Sequence, residues 1–62
     1  MRKVLKEKRK ERGMTQAEIA KEFGITRAFY GHIERETRNP TLNLAAEMAD
    51  FFNDNIENLF IN

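Results

Sequence analysis

The apolar positions of this 62-residue chain repeat at helical spacing, and strand-like alternation is absent. Apolar side chains three or four positions apart lie on one face of an α-helix. The clearest sets are Ile19, Ala20 and Phe23, and Leu44 or Ala45 with Met48, Ala49 and Phe52. We therefore predict an all-α fold, with these residues in its core.

Start and stop signals divide the pattern into five helices, over residues 2–12, 15–23, 26–36, 41–52 and 56–60. Thr15 and Glu18 have the spacing of a capping box, and Thr26 and Asn55 are predicted N-caps of later helices. Gly13, Gly24 and Asn53 stand where helices end in a left-handed residue. Met14, Ile25 and Leu42 are apolar residues beside helix starts, where we expect them to pack against the turns.

The second and third helices are joined by about three residues that include Gly24. So short a connection forces a steep crossing, which is the helix-turn-helix arrangement. The second helix then covers the side of the third helix that carries Tyr30 and Ile33. The other side stays on the surface, and an exposed helix fits the major groove of B-form DNA, which is about 12 Å wide. The start of the second helix would point at a phosphate.

The net charge of +1 hides an uneven distribution. Residues 1–13 contain seven basic and two acidic side chains, whereas residues 39–62 contain four acids and no base. Such asymmetry predicts either a side that faces a polyanion or a solvated, lysine-rich first helix. The charge alone leaves these readings open.

Several classes of protein find no support in the sequence. Without cysteine there is no disulfide or thiolate metal site, which fits a reducing cytoplasm, and the single histidine argues against a metal centre. No apolar run approaches the roughly 18 residues of a membrane span. We expect one domain over residues 1–62, without cofactor or small-molecule ligand, located in the cytoplasm with the nucleoid. No nucleophile–base pair, carboxylate pair or phosphate loop indicates an enzyme.

Four segments, "RGMTQAEIAKEFGIT", "HIE", "RNPTLNLA" and "NIENLF", follow one another without gaps. In this order they resemble the Xre/Cro-type (lambda repressor-like) helix-turn-helix domain of bacterial and phage repressors, and the likeness runs from about Leu5 to Phe60. The resemblance implies a compact five-helix domain that binds double-stranded DNA. One departure is Glu36, which stands where the family usually has a glycine to end the third helix.

The resemblance also implies roles for individual residues. Gln16 matches a glutamine that contacts a phosphate and braces the recognition helix, and Arg9 and Glu34 match a structural ion pair. The first turn of the recognition helix and its next turn face bases and phosphates, and the basic loop before Pro40 touches the DNA backbone. The DNA-binding residues predicted in this way are Gln16, Thr26, Arg27, Ala28, Phe29, Gly31, His32, Arg38 and Asn39.

Each of these positions has a second reading. Arg27 could grip guanine, clamp a phosphate or be solvated, and Ala28 could meet a thymine methyl or be only a helix former. His32 could contact DNA or be solvated. Gly31 permits close approach either to DNA or to the second helix, which the sequence does not separate. Phe29 could pack half-buried or press on sugar and methyl groups.

The function expected is a transcriptional repressor that binds a pseudo-palindromic operator as a homodimer. Two recognition helices related by a dyad would read half-sites about one helical turn apart. Four apolar residues exceed what one small core requires and are predicted to form the dimer interface, namely Phe51, Ile56, Phe60 and Ile61. The alternative is an antitoxin or another protein-interaction module on the same fold.

Overall fold

The computed structural model describes residues 1–61, and this part of the chain is all-α without strands. Its helices are α1 (Lys3–Glu11), α2 (Gln16–Glu22), α3 (Arg27–Arg35), α4 (Leu42–Phe51) and α5 (Glu57–Ile61). The predicted fold class and the five helices are confirmed, with ends that differ by a residue or two. The last helix is wound more loosely than expected, as a π-helix. No helix of residues 1–61 is long and apolar enough to cross a membrane.

The helices begin where short polar side chains accept hydrogen bonds from their first turns. The Thr15 hydroxyl accepts from the Glu18 amide at 3.1 Å, and the Glu18 carboxylate accepts from the Thr15 amide at 2.9 Å. Thr26 and Thr41 accept from the amides three residues later at 3.1 Å. Asn55 accepts from the Asn58 amide at 2.7 Å. The predicted capping box and N-caps are therefore confirmed.

Left-handed residues end the helices, also at the predicted places. Gly13, Gly24 and Asn53 have φ of +66°, +67° and +54°. Glu36 has φ of +64°, although a side chain in this region costs about 1–2 kcal/mol. Its amide donates to the Ile33 carbonyl at 3.2 Å, and its carboxylate lies 2.6 Å from the amino group of Met1. The third helix thus ends in a left-handed residue, although that residue is not a glycine.

The core lies between α3 and the helices that surround it. Leu5, Ile19, Tyr30, Ile33 and Met48 are fully buried there. Residues Phe52 and Leu59, nearer the end of the chain, close the same core. Leu42 corrects an expectation, because its side chain is 75% exposed and does not pack against its turn.

Four of the seven basic residues in α1 and its flanks contact other parts of the protein. The Arg12 guanidinium donates to the Phe51 carbonyl and lies 4.6 Å from the centre of the Phe51 ring. Lys8 lies 3.6 Å from the Asp54 carboxylate. Arg2 and Arg9 are buried against α3. Much of the positive charge near the start of the chain therefore has partners within the protein. The sequence analysis predicted that this charge would face a polyanion or be solvated, and it did not anticipate internal partners.

Candidate nucleic-acid interface

The α2–α3 pair presents one side of α3 to the surface. A turn at Gly24 joins the two helices, and the Ile25 amide donates to the Ala20 carbonyl at 3.0 Å. Tyr30 and Ile33 are buried beneath the pair. Thr26, Arg27 and Ala28, which open α3, are all exposed. The structure therefore brings these three predicted DNA-binding residues together at the start of α3.

A buried carboxylate fixes the position of α3. Glu34 is 1% exposed and accepts hydrogen bonds from three other residues. Arg9 donates from Nε at 2.7 Å and from Nη2 at 3.3 Å, Tyr30 Oη donates at 2.6 Å, and Gln16 Nε2 donates at 3.1 Å. The ion pair that the resemblance implies is thus present. It links α1, α2 and α3 around one group.

The environment of Glu34 keeps this network in one charge state. Burial alone would raise the pKa of Glu34, but the hydrogen bonds from Arg9, Tyr30 and Gln16 hold that pKa below its ordinary value. The hydrogen bond to Glu34 raises the pKa of Arg9. Burial and the same carboxylate raise the pKa of Tyr30. Around neutral pH, Glu34 is therefore a carboxylate that accepts from a charged arginine and a neutral phenol.

Gln16 is half-buried, and its side chain contacts α3. Its Nε2 donates to Glu34, and its Oε1 lies 3.6 Å from the point where a Cβ on Gly31 would stand. The contact with Glu34 is a bracing contact of the kind that the resemblance implies. The contact to phosphate stays a prediction.

Gly31 was predicted to bind DNA, but the structure does not leave it exposed. It is buried, because the Arg35 side chain lies back across it and Gln16 lies beside it. Its neighbours are the Arg35 side chain of α3 and Gln16 of α2, and the approach to α2 is one of the two alternatives that the sequence left open. Phe29 is half-buried and packs against the core cluster, as in the first of its two readings.

His32 is half-buried, and neighbouring side chains occupy its Nδ1 atom. Thr37 Oγ1 lies 2.7 Å from Nδ1, and Arg35 Nη2 lies 3.5 Å from it. The Thr37 and Arg38 amides donate to the His32 carbonyl at 3.0 and 3.3 Å. The contacts of Nδ1 with Thr37 and Arg35 therefore hold the imidazole beside the end of α3.

The loop that carries Arg38 and Asn39 is held by Arg2, a residue that the sequence analysis missed. Arg2 Nη1 donates to the carbonyls of Ile33 at 2.7 Å and Arg38 at 3.2 Å, and its Nη2 donates to Asn39 Oδ1 at 2.7 Å. Arg2 is only 9% exposed. Its partners lie 31 to 37 positions later, so no helical periodicity could reveal them.

Three of the four residues predicted for a dimer interface line one apolar groove. Ile56, Phe60 and Ile61 meet Pro40, Leu42 and Ala45 there, and Ile61 is 72% exposed. Phe51 is not among the residues that line this groove. It is half-buried, with its ring edge-on to Phe23 and Phe52 at centroid distances of 5.4 and 5.1 Å. Leu42 is the residue of this surface that the sequence analysis did not identify.

A family model described as helix-turn-helix matches residues 5–54. The chain belongs to this helix-turn-helix family. Its fold is accordingly of the lambda repressor-like type. No solved structure gives a significant match. Across residues 1–61, the side chains that commonly bind metals form no group of three that could hold an ion.

Curated relatives carry the same description. An uncharacterized HTH-type transcriptional regulator of Archaeoglobus fulgidus is 44% identical over 61 residues, which cover 98% of this chain and 87% of the relative. A second, from Methanothermobacter thermautotrophicus, is 39% identical over 62 residues, covering 98% of this chain and 90% of the relative. The uncharacterized HTH-type transcriptional regulator YqaF of Bacillus subtilis is 44% identical over 50 residues, covering 81% and 66%. The relatives thus come from archaea as well as from a bacterium, so the likeness is not confined to bacterial and phage repressors.

Proposed function

We propose that this helix-turn-helix protein is a transcriptional regulator that binds specific DNA sequences through α3. The observation that carries the proposal is the exposed start of α3, with Arg27 at its first position, on a helix fixed by the buried Glu34 network. An exposed helix held rigidly at the surface suits the major groove, where its N-terminal residues meet base edges. The family and the descriptions of the relatives support the same activity.

The proposed contacts follow from where the side chains lie. Thr26, Arg27 and Ala28 open α3 and read bases, with Arg27 suited to the O6 and N7 atoms of guanine. Gln16 binds a phosphate at the start of α2. In the loop after α3, Arg2 takes the Oδ1 atom of Asn39, which leaves the Asn39 amide hydrogens as the donors available to the DNA backbone. His32 and Arg38 complete the contact surface.

The regulator acts as a homodimer on a pseudo-palindromic operator, and it represses by occupying that site. One recognition helix reads only a few base pairs, whereas two read half-sites about 34 Å apart. The groove with Ile56, Phe60 and Ile61 is the proposed dimer surface, because Ile61 and the neighbouring Leu42 are exposed there. Residues 1–62 form a single domain without catalytic activity in this proposal.

Selection of bound duplexes from a random pool, at stated moderate salt, tests the proposal directly. We expect enrichment of an inverted repeat whose half-sites lie about one turn apart, near 10 base pairs. Enrichment of a single half-site would retain the DNA-binding activity and remove the dimer. A folded protein that enriches no sequence would contradict the proposed function.

The dimer is tested separately by Ile61→Lys, with Asn43→Lys as the control. Both side chains are exposed, so neither lysine disturbs the core. In analytical ultracentrifugation, Ile61→Lys should sediment as a monomer at concentrations where the control and the parent protein are dimers, since a buried unpaired charge opposes association. A dimer that survives Ile61→Lys would move the interface away from this groove.

An interaction module is the second candidate, and the same groove supports it. Leu42 and Ile61 are exposed there, and residues 39–62 are acidic without a base. A partner protein with a basic, apolar surface would fit this part of the chain. An antitoxin that also binds its own promoter would combine both candidates, and the absence of any enriched DNA sequence would favour the module alone.

A further inference from the structure

Gly31 lies inside α3, where glycine weakens a helix relative to alanine. Its backbone does not require glycine, because its φ is not in the left-handed region where Gly13 and Gly24 lie. The explanation is therefore spatial. A Cβ on Gly31 would lie 3.3 Å from Arg35 Nη1 and 3.6 Å from Gln16 Oε1, so the missing side chain leaves room for the Arg35 guanidinium.

Arg35 occupies that room from one helical turn further along. Residues four apart lie above one another, and long helical side chains run back toward the N-terminus. Its Nη2 atom lies 3.5 Å from His32 Nδ1, so the guanidinium lies beside His32 and against Gly31. Within residues 1–61 no carboxylate forms an ion pair with Arg35. The cation thus lies on the surface of α3 without a balancing charge.

We propose that Gly31 is a seat for the Arg35 guanidinium, and that Arg35 binds a DNA phosphate beside Gln16. This inference rests on the proposed function. A phosphate fits better than a base, because the N-terminal residues of a recognition helix reach the base edges and Arg35 lies at the opposite end of α3. The planar guanidinium also matches phosphate oxygens with two parallel hydrogen bonds.

The first arm of the test replaces Arg35. Arg35→Ala should weaken binding to the selected duplex and to unrelated duplexes by similar factors, and it should lower the slope of log affinity against log salt by about one. Lys10→Ala removes the same charge from an exposed position of α1 and should change the slope by much less. An unchanged affinity and slope for Arg35→Ala would overturn the assignment.

The second arm is a double-mutant cycle with Gly31. Gly31→Ala should leave the melting temperature unchanged or higher, because alanine favours the helix. The melting temperature of Gly31→Leu is measured beside it, so that DNA affinities are compared only under conditions in which both variants are folded. Gly31→Leu should weaken DNA binding about fivefold or more, and in the Arg35→Ala background it should have less than about a twofold effect. The reason is that the leucine is expected to act by displacing the Arg35 guanidinium, which is absent in the Arg35→Ala background.

The outcomes separate this inference from the proposed function. If Gly31→Leu weakens binding equally with and without Arg35, the leucine acts on the DNA or on Gln16 rather than on Arg35, and the seat does not exist. If Gly31→Leu binds as well as the parent protein, the seat is equally excluded. If the unmodified, folded protein binds no duplex at all, the proposed function fails first, and the inference falls with it.

Discussion

The arginines around α1 and the arginines of α3 differ in their partners. Arg2, Arg9 and Arg12 turn toward carbonyls, a carboxylate and aromatic rings of the same chain. Arg27 and Arg35 in α3 are exposed, and neither donates to a carbonyl or carboxylate of residues 1–61. A count of basic residues would choose the first helix as the nucleic-acid surface. The basic side chains available to DNA are therefore those that have no carbonyl or carboxylate partner within residues 1–61.

The difference has a physical origin in the ends of helices. The last carbonyls of a helix lack partners within it, and arginine can donate to several at once. Arg2 serves the end of α3 in this way, and Arg12 serves the end of α4. The acidic residues of the C-terminal third add further attraction, for example between Lys8 and Asp54. We call Arg2, Lys8, Arg9 and Arg12 the clamp, because these four residues hold α1 and its flanks to the rest of the protein.

The largest effect should follow from Glu34→Ala. This change leaves Arg9 buried without its partner and removes an acceptor from Tyr30, which typically costs about 3–5 kcal/mol. A chain of this length has little more stability than that to lose. Urea unfolding should show a protein that is largely unfolded, with Glu47→Ala, an exposed control, unchanged. A loss below about 1 kcal/mol would mean that the network does not hold α3.

Next in size is the loss of DNA affinity caused by Arg27→Ala, which we expect at about 1–3 kcal/mol, or roughly fivefold to 150-fold. Base preference should relax at one or two positions of the selected site, while the urea midpoint stays unchanged. Lys10→Ala, which removes an exposed charge from α1, should affect affinity far less. Both DNA affinities are measured by titration at fixed salt. Equal losses of affinity for Arg27→Ala and Lys10→Ala would contradict the proposal that α3, and not α1, contacts the DNA.

A smaller, purely structural effect is expected for Arg2→Met. The change removes three charge-assisted hydrogen bonds to the end of α3 and its loop, and we expect a loss of about 2 kcal/mol in the free energy of unfolding. Lys3→Met removes the same charge from the neighbouring exposed position and should cost less than about 0.5 kcal/mol. Equal stability of the two variants in urea unfolding would show that Arg2 contributes nothing to the clamp.

The smallest effect concerns pH. The folded pKa of Glu34 lies below its ordinary value, so its stabilisation is complete above that ordinary value and is lost as the pH falls through the folded pKa. The pKa values of Glu36 and Asp54 are also lowered, by hydrogen bonds from the Met1 amino group and from Asn58. Glu34→Gln isolates one contribution, since its unfolding free energy should fall less on acidification. Identical pH profiles for the parent and this variant would contradict the assignment.

The local signals in the sequence predicted much of the fold. Capping by Thr15, Thr26 and Asn55 involves neighbours within three positions, and Gly13, Gly24 and Asn53 end helices through their own backbone. Both kinds of interaction can be read from short segments. The helical repeat identified most of the core for the same reason.

The parts that escaped prediction depend on distant partners. Nothing near Arg2 in the sequence indicates that the guanidinium binds the Ile33 carbonyl, and nothing near Leu42 shows that its side chain stays exposed. The Arg9–Glu34 pair was found only through the resemblance to a family. Arg35 could have been found, because it stands four positions after a glycine within a helix.

The most direct measurement of the central claim is an NMR titration of the isotope-labelled protein with a duplex from the selection. If α3 meets the DNA and the clamp faces inward, the largest shift changes should occur at residues 26–32 and at the side chains of Gln16 and Arg35. The amides of Lys3–Glu11 should change little. Largest changes along Lys3–Glu11, with α3 unaffected, would show that the basic helix is the DNA surface and would contradict the account.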